Sequence, residues 1–421
     1  MSKPPSQTLP VTVDSELQPH EHRRTPRRRF LTGFFVAIGI WALFKTVHRR
    51  EHKIHWHGAD NWAIAANMVL DGCVAPSNSV DATFEIPLSP ATLSHYGSSS
   101  SLSGILDITA SSHLNDTAKI TVHALRGADT KACLVAGAEG EIGVGLFVQQ
   151  GFMDGSRGFG QNQRRSSPGK TPLELKGIVA DLPNFSLNVR NLKESCDFGS
   201  AIFRTSNAPI NVKSLAAGHA RLSTFNGLIT IESLKSPDLV LETSNAGISG
   251  TFNTSGTLQL TSSNAPIKVT INLESIDPTR PTSVFMRTSN ARIAAKLHLL
   301  TVGHGRGGPF IVSGTTSNGA LDLSVPTSPV GNELSLTART SNEPAAVRLH
   351  GAYEGTFSVA TSNFGSQVRR VDEEGDGRQV EYEGVGSGRG ETMGYVYAEE
   401  RNRELGNVEV RTTNTPAVLW V

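Results

Sequence analysis

The sequence predicts an all-β protein: a parallel β-solenoid of about nine repeats, preceded by a β-rich N-terminal part and one transmembrane helix. Three observations lead there. A Ser-Asn motif returns at near-constant spacing, apolar residues alternate on either side of it, and one uncharged run lies near the N-terminus.

The uncharged run, "FLTGFFVAIGIWALF", covers fifteen residues from Phe30 to Phe44. At helical rise it spans about 22 Å, and adding Lys45, Thr46 and Val47 extends it to about 27 Å, because the lysine stem can reach the headgroups. Arg23, Arg24, Arg27, Arg28 and Arg29 precede it, and Lys45, Arg49, Arg50 and Lys53 follow. "KTVHRREHK" holds no small-residue cleavage site, so residues 30-47 are expected to be an uncleaved signal anchor crossing the lipid bilayer. The basic excess on the short side places the 1-29 tail in the cytosol and the large C-terminal part outside the cell or in a lumen. Sequons at Asn115, Asn184 and Asn253 are compatible with that orientation. Residues 48-68 read as a basic juxtamembrane stalk. His48, His52, His55 and His57 lie close together there, but no Cys or carboxylate recurs at ligand spacing, and no metal site is expected.

Residues 69-195 read as a separate β-rich part, with strands expected at "GILDITA" from Gly104, "AKITVHAL" from Ala118, "EIGVGLFV" from Glu141 and "FSLNVRNL" from Phe185. The Gly/Arg/Ser-rich stretch from Asp154 to Lys170 reads as a loop. Cys73, Cys133 and Cys196 allow one disulfide and one free thiol, and their spacing does not choose the pair.

From residue 196 to 421 the repeat dominates. "FRTSNAPINV" at Phe203 has counterparts in "LETSNAGISG" at Leu241, "LTSSNAPIKV" at Leu260 and "MRTSNARIAA" at Met286. The central asparagines are Asn207, Asn226, Asn245, Asn264, Asn290, Asn318, Asn342, Asn363 and Asn414. Their first three intervals are 19 residues and the later ones 26, 28, 24, 21 and 51, the signature of stacked units.

Two residues before each asparagine stands Thr or Ser; six before, every position is apolar, from Ala201 and Ala220 to Val408. Three after it, the first four repeats carry Ile210, Ile229, Ile248 and Ile267. Alternation of period two marks strands with one buried face. Inward positions are even before the asparagine and odd after it, so the triplet must turn a corner. Asn tolerates the left-handed conformation such a corner uses. Stacked coils would set successive asparagines about 4.8 Å apart, close enough for an amide ladder, with each threonine in the inner corner. The threonines share the parity of the leucines, which speaks against an outward ice-binding rank. The extra residues of longer repeats fall in the return segment, as between Leu273 and Ser283. An acidic, Gly-rich loop insertion at 371-393 precedes the apolar ending "VEVRTTNTPAVLWV", which should close the final coil.

Composition narrows function. With 39 basic and 38 acidic residues the net charge is +1, unlike a nucleic-acid binder. Carbohydrate-active β-helices need carboxylates converging on one face. Here Glu232, Asp238, Glu242, Glu274, Asp277, Asp322, Glu333, Glu343 and Glu354 occupy different repeat positions. No GxSxG, HExxH or phosphate-binding loop is present, and "GHGRGG" at Gly303 lacks a strand–helix context. No catalytic residue, cofactor or metal ligand is therefore assigned.

The repeated "TSNAPI", with "LPNFSLNV" upstream, "DATFEIPLS" at Asp81 and "FNTSGTLQLTSSNAPIKV" at Phe252, resembles two related groups. One is the adhesin-like putative auto-transporter repeat family of unknown function; the other comprises uncharacterised fungal membrane-anchored proteins with SNAPI repeats. The resemblance implies an extracytoplasmic β-solenoid on an anchor and brings no catalytic residues with it. The expected function is a single-pass, non-enzymatic, adhesin-like protein with a surface-structural, adhesion or scaffolding role, its partners being the bilayer and cell-wall glycans or surface proteins. The alternatives are a carbohydrate-active β-helix enzyme and a glycan-binding module.

Overall fold

The computed structural model describes residues 69–74, 82–87, 92–97, 103–110, 117–122, 130–136, 141–148, 172–302, 308–371, 377–385 and 390–421. The expected anchor at 30-47, the histidines at 48–57 and the loop at 154–170 lie outside them. Among the described residues no helix is long and apolar enough to cross a membrane, and helical structure is a single 3-10 turn, Glu400–Asn402.

Nearly all strands join one mostly parallel network, in which the alternation read from the sequence becomes two columns. Strands that precede the asparagines stack on a first face: Leu173–Asp181, Cys196–Arg204, the second half of Ile210–Ser223, Asp238–Glu242, Thr257–Thr261, Thr282–Arg287, Phe310–Thr315 and Leu334–Arg339. Strands that follow them stack on a second: Phe185–Asn191, the first half of Ile210–Ser223, Ile229–Lys235, Ile248–Thr254, Ile267–Ser275, Ile293–Thr301, Leu321–Thr327 and Ala345–Arg348. All these pairings are parallel. This all-β, repeating arrangement is consistent with a β-solenoid.

The inward rows meet between the faces. Leu222, Leu241, Leu260 and Met286 sit beside one another on the first face, opposite Ile229, Ile248, Ile267 and Ile293 on the second, all buried. Each such side chain contributes about 1.5–3 kcal/mol through burial. Where the first-face row reaches Gly314, the space is taken by Leu321 and Leu323 from across the core.

The boundary read at residue 195 is not a break in the stack. Thr92–Gly97 pairs with Leu173–Asp181, and Gly104–Ile108 pairs with Phe185–Asn191, so these strands extend both columns toward the N-terminus. All four strands expected in 69-195 are present. His95 lies in the inward row, in register with Ala180, and burial lowers its pKa to about 4, so it serves as a neutral core residue. Beyond Thr92–Gly97 come Glu141–Val148 and then Thr130–Ala136 and Val69–Val74, the last two added antiparallel. A Cys73–Cys133 disulfide ties those two outer strands, leaving Cys196 as the free thiol.

The C-terminal end corrects one expectation. The ending does not close the final coil. Gly406–Thr412 lies between Leu334–Arg339 and Gly355–Thr361, and Ala417–Trp420 lies between Ala345–Arg348 and Ser366–Arg369. The coil of Asn414 is thus sandwiched between those of Asn342 and Asn363. The cause lies in the segment read as a loop insertion. It holds the strand Gln379–Val385 and leads into Glu391–Tyr397, which pairs antiparallel with Gly355–Thr361 and takes its outer edge. Only the inner edge remains for the chain's last strands. Glu354 braces the junction: buried, it accepts hydrogen bonds from the Ala398 backbone N–H at 2.8 Å and from Asn402 Nδ2 at 2.9 Å.

Candidate functional site

The corner triplets bring the repeat asparagines into one column. Asn207 Nδ2 donates to Asn184 Oδ1, and the same bond repeats for Asn226 to Asn207, Asn245 to Asn226, Asn264 to Asn245, Asn290 to Asn264, Asn318 to Asn290 and Asn342 to Asn318. Asn414 then donates to Asn342, and Asn363 to Asn414, in the spatial order of the coils. Distances run from 2.6 Å at Asn342 to 2.8 Å at Asn245. Asn184 is the first member of the column among the described residues, with Leu182 standing two before it where the repeat asparagines have Thr or Ser.

Two further layers of hydrogen bonds fix each corner. The backbone N–H groups of Phe225 and Asn226 both donate to the Ser206 carbonyl, and Ser244 and Asn245 repeat this on Phe225. Beneath them, several buried threonines donate to the previous coil: Thr205 to the Pro183 carbonyl at 3.0 Å, Thr316 to Ala291 at 3.2 Å and Thr340 to Gly319 at 3.0 Å. Thr316 Oγ1 also accepts the Gly319 N–H at 3.2 Å. The hydroxyl satisfies backbone groups that a tight, buried turn would otherwise leave unpaired. The Thr and Asn positions of the repeat are thereby engaged in holding the stack.

On the second face two shorter side-chain ladders run parallel to the column. Asn211 donates to Asn188 at 2.9 Å, and Asn188 to Asp107 at 3.0 Å, with Arg190 also on Asp107. Asn272 donates to Asn253 at 2.6 Å. Two of the three sequon asparagines, Asn184 and Asn253, therefore belong to ladders.

A ladder bond between exposed amides competes with water, so each adds about 0.5–1.5 kcal/mol at most. Asn245→Ala removes two of them and should lower stability by about 1–3 kcal/mol without loss of fold. Urea unfolding followed by circular dichroism measures this, and an unchanged midpoint would show the column to be energetically idle.

The acids stay dispersed. Glu242 is paired with Arg221 at 2.7 Å on the first face, whereas Glu274 with Lys235 at 3.4 Å and Asp322 with Arg292 at 2.9 Å lie on the second. Asp277 sits in a return turn, its pKa lowered by hydrogen bonds from the Thr279 hydroxyl and backbone N–H. Among the described residues no group of three or more His, Cys, Asp or Glu side chains is arranged to hold a metal ion. Comparison of the chain with protein-family models, with curated proteins and with solved structures finds no match.

Proposed function

We propose that the chain is a single-pass, membrane-anchored, non-enzymatic and adhesin-like protein whose large part is extracellular or lumenal and serves surface structure, adhesion or scaffolding. The finer architecture belongs to the same proposal: a β-solenoid of about nine repeats behind a helix at 30-47, related to the fungal anchored proteins with SNAPI repeats. The observation that carries it is the asparagine column with its threonine corners. The repeated side chains bind one another and the backbone, a structural use that fits a display or scaffolding role. The Cys73–Cys133 disulfide supports an oxidising compartment, since such bonds persist chiefly outside the cytosol.

The test is a thiol count on full-length protein made in a eukaryotic host. Cells are quenched and denatured with a maleimide that adds measurable mass, with and without prior reductant. One label, on Cys196, is expected without reductant and three with it. Three labels in both conditions would retire the extracytoplasmic reading.

A further inference from the structure

We propose that the C-terminal end of the second face binds a linear anionic polysaccharide along a row of cations. This names a partner for the display role above and rests on that reading.

The row is created by strand order. Register sets Lys296, Ser324, Arg348, Trp420 and Arg369 beside one another on five adjacent strands. Adjacent strands lie about 4.8 Å apart, so the three cations recur at every second strand, about 9.6 Å apart. All three are exposed. Lys296 and Arg348 make no ion pair among the described residues, and Arg369 donates only to the neutral Gln367 side chain at 2.8 Å. The acid in the next row, Asp322, is engaged by Arg292. A chain whose overall net charge is +1 thus places three uncompensated positive charges in one line.

Trp420 holds that line in shape. The Arg348 guanidinium lies 4.5 Å from the indole centroid and that of Arg369 5.7 Å from it, one on either side in the strand order. Stacking on the ring removes side-chain freedom before a ligand arrives, which lowers the entropic cost of binding. Planar guanidinium groups also match carboxylate and sulfate oxygens two at a time.

The spacing selects among polyanions. Duplex nucleic acid carries a charge about every 1.7 Å of its axis, far denser than cations about 9.6 Å apart. A lipid surface is two-dimensional, whereas this row is a single line along the stacking direction. A sugar polymer carrying one acid group per residue or pair of residues fits both the line and the low charge density.

The test uses the full chain in nonionic detergent, with polygalacturonate and hyaluronate, which carry one carboxylate per residue and per pair of residues, as probes at low salt. Neutral β-glucan and single-stranded RNA serve as comparators. The triple variant Lys296→Ala, Arg348→Gln, Arg369→Gln should weaken binding of at least one probe by about tenfold or more and flatten its salt dependence. Lys213→Ala, on the same face toward the other end, should leave it unchanged. If the triple variant melts lower, Lys296→Ala alone, at a side chain without an ion pair, should still weaken binding measurably. Failure of both probes to bind, equal binding by the charge variants, or tighter binding to RNA or β-glucan would overturn the proposal. None of these results bears on the thiol count, so the display reading stands or falls separately.

Discussion

Leu241→Asp should abolish cooperative folding of the central coils. Leu241 is 0 % exposed and lies between Leu222 and Leu260 in the inward row of the first face. Replacement loses about 1.5–3 kcal/mol of burial. It also sets a carboxylate among leucines and isoleucines, with no cation in the core rows around it among the described residues; even after relaxation the desolvation penalty is several kcal/mol. The sum approaches the whole stability of an ordinary domain, about 5–15 kcal/mol. Because a stacked repeat touches only its neighbours, the damage should begin locally and divide the stack there. Circular dichroism should show the wild-type melting transition lost or split, and limited proteolysis should cut near the central coils. Leu241→Met, which conserves volume, should cost less than about 1.5 kcal/mol. A wild-type melting curve for the aspartate variant would mean that the side chain faces outward.

The inward rows, the corners and the asparagine column were legible in the sequence because each depends on a period of two interrupted at a fixed residue. Asn184 was not, since its Leu182 meets the inward parity but not the hydroxyl requirement. Strand order at the C-terminus was illegible for a different reason. Before the asparagine the coils of Asn363 and Asn414 carry equivalent apolar rows, Phe357 and Val359 against Val408 and Val410, so on that face either can follow Asn342. The choice is made by Glu391–Tyr397 occupying one edge of Gly355–Thr361, a long-range pairing that periodicity does not encode. The cation row depends on that choice, because Trp420 reaches its place between Arg348 and Arg369 only when the last strand is inserted.

Gly250→Ala should be strongly damaging for a single-methyl change, at about 3 kcal/mol or more. Gly250 occupies an inward place where neighbouring coils carry Val212, Ile231 and Val269. Its φ is +141°, a region that side chains of L-residues rarely adopt. A Cβ there would lie 2.0 Å from the Ile231 carbonyl oxygen and 2.8 Å from the Ile231 Cβ, and no rotamer change can relieve a clash with a backbone atom. The glycine is needed because the two coils differ in parity beyond this point. Ile231 pairs with Gly250 but Leu234 pairs with Phe252, so three residues on one strand face two on the next, a β-bulge. Up to this step the third inward residue stands eight after the asparagine, as Leu215 and Leu234; from it onward it stands seven after, as Phe252 and Ile271. Gly250 is the residue at which the second face changes register with its own corner. Gly331→Ala supplies the contrast, since Gly331 also has positive φ, +69°, but no atom within 4 Å of its would-be Cβ, and should cost only about 1 kcal/mol. Urea midpoints of the two variants separate the causes: equal losses would assign the Gly250 effect to dihedral strain alone, and a larger loss at Gly250 assigns the remainder to the bulge that lets two coil types share one core.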